Sequence, residues 1–413
     1  MGGSCEMSDV IDRRADSFRW IILLIIFLTH LTLNFLIYQI GGLASKIIPA
    51  LQLQPSQFVM VLAAPMLTCA LFGIPAGALA DRYGVKNVIT VGLTLTVLSS
   101  FGRIYPTGFA VLFAWMFMLG CGLACLNANV VKILGAWFPS QQLGMVMGIY
   151  IAGATTGITI ALATSALFPS IEQAFTVSAI LSLGILIVWL LLIESKPAGA
   201  PAVMIQPIAA YLGVVARSKY IWFGALAMFF YMGTFVTQSG YLANALTEAK
   251  GVSPVLAGLV AAFLSLAFMI GAIAGPVVFA RIGVTKPCLA PMVILGAMVS
   301  YLAWLVPFGA LTCLLLLFNG ILLGASVPLV MSLPMSLPEI GPVYAGSAGG
   351  LISTLQMAGA FLLSSYVIIP LAGADMDRVF LYISIGYLLY SAILFLLPEL
   401  GGKKQNKAKR YPG

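Results

Sequence analysis

The chain has 413 residues, of which 61% are hydrophobic and 8% are charged, and its mean hydropathy is +1.08. Soluble globular domains carry about 25% charged residues. The composition therefore excludes a soluble globular protein and indicates a membrane protein with many spans.

Twelve apolar runs of about twenty residues, the length that crosses the hydrocarbon core of a bilayer, can be drawn along the chain. They lie near residues 20–42, 57–80, 87–104, 107–132, 140–168, 173–193, 219–246, 254–280, 286–306, 309–333, 343–370 and 377–398. We therefore predict an all-α membrane protein with twelve transmembrane helices in two six-helix halves. The predicted regions are an N-terminal segment (1–19), a first half (20–193), a linker (194–218), a second half (219–398) and a basic tail (399–413).

The basic residues predict how the chain is oriented in the membrane. If the N-terminus is cytoplasmic, sixteen of the 20 Lys and Arg residues fall on the cytoplasmic side, and the outer side has Lys46, Arg103, Lys250 and Arg378. This asymmetry follows the positive-inside rule, and it accounts for the net charge of +8 without a nucleic acid partner. We expect a multi-pass cell-membrane protein with both termini in the cytoplasm. Arg103, near the outer end of span 3, is expected to anchor at the interface, with attraction of an anion at the mouth as the alternative.

Span 1 contains the only histidine of the chain, His30, near its centre. Asn34 and Tyr38 follow it by four and eight residues, so all three share one helix face. Polar groups within spans face a cavity or a neighbouring helix because their exposure to lipid is costly. We expect this face to bind substrate, and a purely interhelical role for His30 stays open.

A charged turn between spans 2 and 3 identifies the family. It contains Gly77, Asp81, Arg82, Gly84 and Lys86 in the pattern G-x-x-x-D-R-x-G-x-K. The pattern resembles the signature loop of the major facilitator superfamily. The resemblance implies a twelve-helix fold with a substrate site between the halves, and it implies that these five residues control a cytoplasmic gate. An ordinary solvated turn is the alternative.

Spans 4 and 5 carry further candidate residues. Asn127 and Tyr150 are expected to line the pocket, whereas Gly153 and Gly157 form a G-x-x-x-G surface for close helix packing. Lys132 lies toward the cytoplasmic end of span 4 and can reach water there.

The span 4 to 5 junction resembles a branch of the same superfamily. The run from Asn129 and Lys132 through Trp137 to Gly144 and Gly148 is similar to the nitrate/nitrite porters and cyanate transporters. This resemblance implies a small anion as substrate. Nitrate itself is not expected, because spans 2 and 8 lack the arginine pair of the nitrate porters.

The two halves share a repeat with an offset of 199 residues. Gln39-x-Gly41 corresponds to Gln238-x-Gly240, and the Arg82 and Pro139 positions correspond to Arg281 and Pro338. Spans 1 and 7 therefore occupy equivalent positions in the two halves, as expected for a carrier built from internal repeats. The two glutamines and the glycines after them are expected at an outer gate, with an interhelical hydrogen bond as the alternative.

Additional polar residues of the second half are expected to complete the pocket: Tyr231, Thr234 and Gln238 in span 7, Asn319 in span 10 and Gln356 in span 11. No Asp or Glu lies at the centre of a span. A carrier that holds a large cation, or moves protons through buried carboxylates, would normally have one there.

The sequence therefore predicts a monomeric transporter for a small carboxylate-like anion that works by alternating access, as a symporter or uniporter. An exporter or facilitator of an aromatic, amphipathic or cationic solute is the alternative, and a non-cycling sensor is a weaker one. The expected partners are a small-molecule substrate and the lipid bilayer, with a coupling proton or counter-substrate left open and no nucleic acid. No cofactor, metal or enzymatic residue is predicted, and the cysteines are expected to be free thiols.

Overall fold

The computed structural model describes residues 3–138, 142–194, 213, 215–282, 286–337, 339–373 and 375–398. Within these ranges the chain forms helices and short connections, and twelve helices are long and apolar enough to cross a membrane. They are α1 (Gly3–Gly42), α2 (Pro55–Tyr83), α3 (Val85–Gly102), α4 (Phe109–Trp137), α5 (Leu143–Thr164), α6 (Ile171–Leu192), α7 (Lys219–Lys250), α8 (Pro254–Ile282), α9 (Lys286–Leu305), α10 (Ala310–Met331), α11 (Gly341–Leu362) and α12 (Met376–Leu394). The predicted all-α architecture with twelve spans is confirmed.

Shorter helical segments adjoin these spans. They are Ala44–Ala50, a 3₁₀ turn at Ser165–Leu167, Leu333–Ser336, a π-helical segment at Leu363–Ile368 and Ile369–Ala372. The predicted tail, most of the predicted linker, and Pro139 and Pro338 of the repeat lie outside the described residues.

The helix boundaries have local physical causes. Gly84, with φ of 89°, ends α2 and Gly251, in the left-handed region with φ of 65°, ends α7. Glycine adopts positive φ without the steric cost that a side chain brings. The Asp375 side chain accepts hydrogen bonds from two backbone N–H groups at the start of α12, as an N-cap residue does. Helix α1 begins at Gly3, well before its apolar span, because no Pro or Gly interrupts the charged segment that follows.

The two halves pack in the same way. In the first half α1 packs against α5, α2 against α4, and α3 against α4 and α6. The second half repeats each pair six helices later, with α7 against α11, α8 against α10, and α9 against α10 and α12. The contacts between the halves are also paired, since α5 meets α8 and α11 meets α2. The packing therefore has the twofold pseudo-symmetry that the sequence repeat predicts.

The halves touch at one end of the bundle. We call the end with Arg82 and Lys86 the basic end, and the other the opposite end. At the opposite end a Cβ atom placed on Gly41 would lie 3.1 Å from the Gly240 carbonyl oxygen, and one on Gly258 would lie 2.5 Å from the Leu162 oxygen. Backbones of the two halves are therefore in direct contact there.

Toward the basic end the contact between the halves is lost. Leu62 of α2 packs against Gly240 of the other half, and Gly73 and Gly77 follow it along the same face of α2. A Cβ atom on either of these two glycines would meet nothing within 4 Å. The face of α2 that meets the other half at Leu62 is therefore open around Gly73 and Gly77, toward the basic end.

Candidate functional site

His30 is held by α5. Its Nδ1 atom is 2.9 Å from the backbone oxygen of Tyr150, and its ring stacks on the Tyr150 ring with centroids 4.0 Å apart and planes 6° from parallel. A carbonyl oxygen can only accept, so Nδ1 carries the proton and Nε2 is the acceptor of the neutral ring. The His30 side chain is 7% exposed.

The close approach of α1 and α5 depends on small residues. A Cβ atom on Gly153 would lie 2.8 Å from the Phe27 oxygen, and Gly157 meets the Leu31 backbone in the same way. The predicted G-x-x-x-G packing surface is therefore confirmed, and its partner is the helix that carries His30. These glycines bring the Tyr150 carbonyl within hydrogen-bonding distance of the histidine.

Tyr150 extends the same cluster to α4. Its hydroxyl donates to the Oδ1 atom of Asn127, whose side chain is exposed. His30, Tyr150 and Asn127, predicted separately on three spans, are thus joined by hydrogen bonds and stacking. We call these three residues the His30 cluster. It presents an imidazole and an amide without a carboxylate.

The other two polar residues of α1 behave differently from His30. The Asn34 amide nitrogen donates to the His30 carbonyl oxygen at 2.9 Å, which is a bond within the helix. Tyr38 is fully buried. The predicted shared face is present, but these two side chains lie outside the His30 cluster.

Tyr231 of α7 and Gln356 of α11 are two of the predicted site residues of the second half. The Tyr231 ring packs against Tyr390, Phe235 and Tyr387 with centroids 5.4, 5.9 and 6.3 Å away. Gln356 is half-buried, and its amide nitrogen lies 3.8 Å from the sulfur of Met232. The four aromatic rings are buried against one another, and Gln356 offers one half-buried amide.

Gln238 lies inside the second half. Its Nε2 atom donates to Ser300 Oγ at 3.1 Å and to Asn319 Oδ1 at 3.0 Å, and its Oε1 atom accepts from the Tyr387 hydroxyl at 2.8 Å. The Asn319 amide in turn donates to the Gly296 oxygen at 2.9 Å. These groups bind one another, so a substrate role for Gln238 and Asn319 stays a prediction that this conformation does not favour.

Thr234 is also turned away from the space between the halves. It is fully buried, its hydroxyl donates to the Phe230 oxygen at 2.6 Å, and it packs on Gly386 of α12. A substrate role for Thr234 likewise stays a prediction without a favourable contact.

Gln39 occupies the equivalent place in the first half, where one of its partners is Arg103. Its Nε2 atom donates to the Ala174 oxygen at 3.0 Å, and its Oε1 atom accepts from Ser178 at 2.6 Å and from Arg103 Nη2 at 3.5 Å. Both glutamines thus point into their own halves, and only the glycines after them meet.

Arg103 was expected at the membrane interface, but its side chain is fully buried. The sequence contained a signal for this burial, because Arg103 is a basic residue on the predicted outer side, where basic residues are rare.

The predicted gate lies at the basic end. The Gly77 oxygen accepts from Lys132 Nζ at 2.9 Å, and Lys86 Nζ donates to the Leu190 oxygen at 3.2 Å. The Arg82 guanidinium lies 5.3 Å from the centre of the Tyr83 ring. The Asp81 side chain is outside the described part of the structure. The gate role of Gly77, Asp81, Arg82, Gly84 and Lys86 therefore stays a prediction.

The cysteines and the acidic residues offer no metal centre. Cys69, Cys121, Cys125, Cys288 and Cys313 are free thiols, and within the described residues no group of three or more His, Cys, Asp or Glu side chains could hold a metal ion. The His30 cluster itself consists of uncharged hydrogen-bonding groups and aromatic rings.

Comparisons with known proteins place these features in a family. The family model described as "Major Facilitator Superfamily" matches residues 20–364. A nitrite extrusion protein of Bacillus subtilis is 28% identical over 220 residues, which is 53% of this chain and 55% of that protein. A hexuronate transporter of the same organism is 25% identical over 217 residues, which is 49% of this chain and 50% of that protein. These alignments thus span about half the length of each relative.

A third relative aligns over a longer range. A probable nitrate transporter of Staphylococcus epidermidis is 25% identical over 347 residues, which is 81% of this chain and 86% of that protein. Among solved structures, a bacterial homologue of the human lysosomal transporter Spinster, described as inward-facing and unoccupied, superposes with a TM-score of 0.74. That match covers 92% of this chain and 96% of the other at 16% identity, so it shows a shared fold.

Proposed function

Because this chain belongs to the major facilitator superfamily, we propose that it carries a small carboxylate-like anion across the membrane by alternating access. The halves rock about a site near the middle of the membrane. With the basic end in the cytoplasm, as the positive-inside rule favours, the conformation described above is open inward and closed outward.

The His30 cluster is the observation that carries this proposal. An anion between the halves needs hydrogen-bond donors that are not neutralised by acid groups. Asn127 offers amide N–H groups, and the neutral His30 ring positions Tyr150, whose hydroxyl holds the Asn127 side chain. Among the described residues, Asp and Glu lie outside the apolar spans or within their terminal turns. The environment therefore favours an anion over a cation.

The names of the relatives agree with this chemistry. Nitrite, nitrate, hexuronate and gallate are anions, and they appear in the names of a nitrite extrusion protein, a probable nitrate transporter, a hexuronate transporter and a gallate transporter. A carboxylate of sugar or aromatic type is the substrate class that these names share with the chemistry of the site.

The proposal is tested by the thermal stability of the purified protein in nitrate, D-galacturonate, 4-hydroxybenzoate, D-galactose and choline. A ligand that binds the folded state raises its melting temperature. We expect stabilisation by at least one anion, none by choline, and loss of the anion's effect in His30→Ala. Tyr390→Phe, which keeps the ring and removes a fully buried hydroxyl that donates to Ser326 at 2.8 Å, is the matched control and should bind as the wild type does. Stabilisation by choline instead of the anions would contradict the proposal and favour a carrier for cationic solutes.

A further inference from the structure

Arg103 is a buried cation whose contacts are all with neutral groups. Its Nη1 atom donates to the Leu36 oxygen at 2.9 Å and lies 3.3 Å from the sulfur of Met116. Its Nη2 atom is 3.5 Å from Gln39 Oε1, and the guanidinium lies 4.7 Å from the centre of the Phe175 ring. The Nε atom has no hydrogen-bond partner within the part of the chain that the structure describes.

Among the described residues, no carboxylate forms an ion pair with this charge. No Asp or Glu side chain of the described residues is an ion-pair partner of Arg103, whereas Arg378 at the same end of the bundle pairs with Asp375 at 3.2 Å. Arginine stays protonated in proteins, and an unpaired charge in a low-dielectric interior is costly. Because burying an arginine without a counter-charge costs stability, we expect this charge to have a functional role in addition to packing.

The second half shows that the fold does not need this charge. At the equivalent glutamine, Gln238, the same tie between helices is made by Ser300, Asn319 and Tyr387, which are all neutral. Hydrogen bonds alone thus hold α7 in its half. The positive charge at Arg103 is what the first half adds to an otherwise similar arrangement.

The position of Arg103 relates this charge to the candidate site. Its guanidinium binds the carbonyl of Leu36, six residues beyond His30, so the helix rise alone separates the two levels by about 9 Å along α1. The charge is farther than this from an anion at His30, because Leu36 and His30 lie on different faces of the helix. At an effective dielectric constant of about 20, a unit charge about 10 to 15 Å away changes the affinity of a monoanion roughly tenfold. Burial also protects this interaction from screening by salt.

We propose that Arg103 is a specificity-determining residue, whose uncompensated buried charge makes the site prefer anions over neutral molecules of the same shape. The inference rests on the proposed function, because it concerns the same site. Arg103 does not touch the substrate in this account. It acts through the field that it sets up along α1.

The test is the binding of D-galactose, D-galacturonate and galactarate, which carry charges of 0, −1 and −2 on the same six-carbon skeleton. Dissociation constants are measured from ligand-dependent melting of the wild type, Arg103→Gln and Arg103→Lys. In Arg103→Gln we expect galacturonate to bind about tenfold more weakly and galactarate to lose more than that, with galactose changed less than twofold. Arg103→Lys keeps the charge and should keep the wild-type order.

Two controls separate this role from a structural one. Tyr387→Phe weakens the neutral tie of the second half and should leave the order of the three ligands unchanged. If Arg103 only clamps α1, the Gln and Lys variants will weaken all three ligands equally, and that result would overturn the inference. A wild type that binds none of the anions would instead contradict the proposed function itself, whereas normal anion binding with an unchanged order in Arg103→Gln would contradict the role of Arg103 alone.

Discussion

The two halves repeat each other in packing but differ in the chemistry around one repeated glutamine. Gln39 is tied to Ser178 and to the charged Arg103, whereas Gln238 is tied to neutral partners only. Both halves have the glutamine and the glycine two residues later, so we assign these residues a role in stabilising the fold. Only the first half has the charge, so we assign the charge a role in substrate selectivity.

The same contrast holds nearer the middle of the bundle. The first half presents the His30 cluster, joined by hydrogen bonds between three helices. The second half presents Tyr231 among three aromatic rings. Two halves with similar packing therefore differ in chemistry, with a hydrogen-bonded polar cluster in the first half and a buried aromatic cluster in the second.

The largest expected effect comes from the contact that the two halves share. In Gly41→Val the new side chain would meet the Gly240 backbone, with the first added atom 3.1 Å from its carbonyl oxygen. Backbone cannot move aside as a side chain does, so the opposite end cannot close. We expect uptake to fall at least tenfold while the protein still folds. Gly184→Val, on an exposed face of α6 with nothing within 4 Å, is the control, and equal loss in both variants would argue against a gate at Gly41.

The next prediction tests whether Gln238 stabilises the fold or binds the substrate. Gln238→Leu leaves Ser300, Asn319 and Tyr387 without their shared partner, and unsatisfied buried groups cost about 1–3 kcal/mol. We expect chemical unfolding to show that loss of stability, with anion affinity changed less than twofold. Unchanged stability together with lost affinity would restore Gln238 to the substrate site that the sequence predicts.

A smaller effect is expected within the His30 cluster. Tyr150→Phe keeps the ring stack on His30 but removes the hydroxyl that positions Asn127. One hydrogen bond contributes about 1 kcal/mol, so the dissociation constant of the anion should rise about three- to tenfold. Tyr390→Phe loses a hydroxyl that donates to Ser326 at 2.8 Å, and binding should be unaffected. If both variants weaken binding alike, the Tyr150 hydroxyl has no special role.

The smallest effect separates an exposed cation from a buried one. Arg378 forms an ion pair with Asp375, and the two side chains are 63% and 46% exposed. Exposed pairs contribute roughly 0–1 kcal/mol. Arg378→Gln should therefore leave both the melting temperature and the preference for anions nearly unchanged. A loss of that preference comparable with the loss in Arg103→Gln would mean that total charge at this end, and not burial, sets selectivity.

Much of the frame could be predicted from the sequence, because long apolar runs and helix-ending glycines have local causes. The spans near 57–80 and 254–280 correspond to helices Pro55–Tyr83 and Pro254–Ile282, for example. The packing of Gly153 and Gly157 could also be predicted, since a pair of glycines four residues apart permits close helix approach. Their partner could not, because a glycine pair does not specify which helix it meets.

The site could be predicted only in part. His30 and Tyr150 are 120 residues apart, and only tertiary packing brings their rings together. A polar stripe in a span satisfies either a cavity or a neighbouring helix, and the sequence treats the two alike. Gln238 and Asn319 therefore looked like pocket residues, although in the structure they bind each other. Arg103 was expected at the interface, because its neutral partners on α1 and α6 are distant in sequence.

The central claim, an anion carrier with its site at His30, is tested most directly by transport. Proteoliposomes with the wild type or His30→Ala would be assayed for uptake of labelled nitrate, D-galacturonate and 4-hydroxybenzoate, with the other anions and choline as competitors. The account predicts saturable uptake of at least one anion that anions inhibit, that choline does not, and that His30→Ala abolishes or strongly weakens. Uptake that choline inhibits, or that is the same in both proteins, would contradict it.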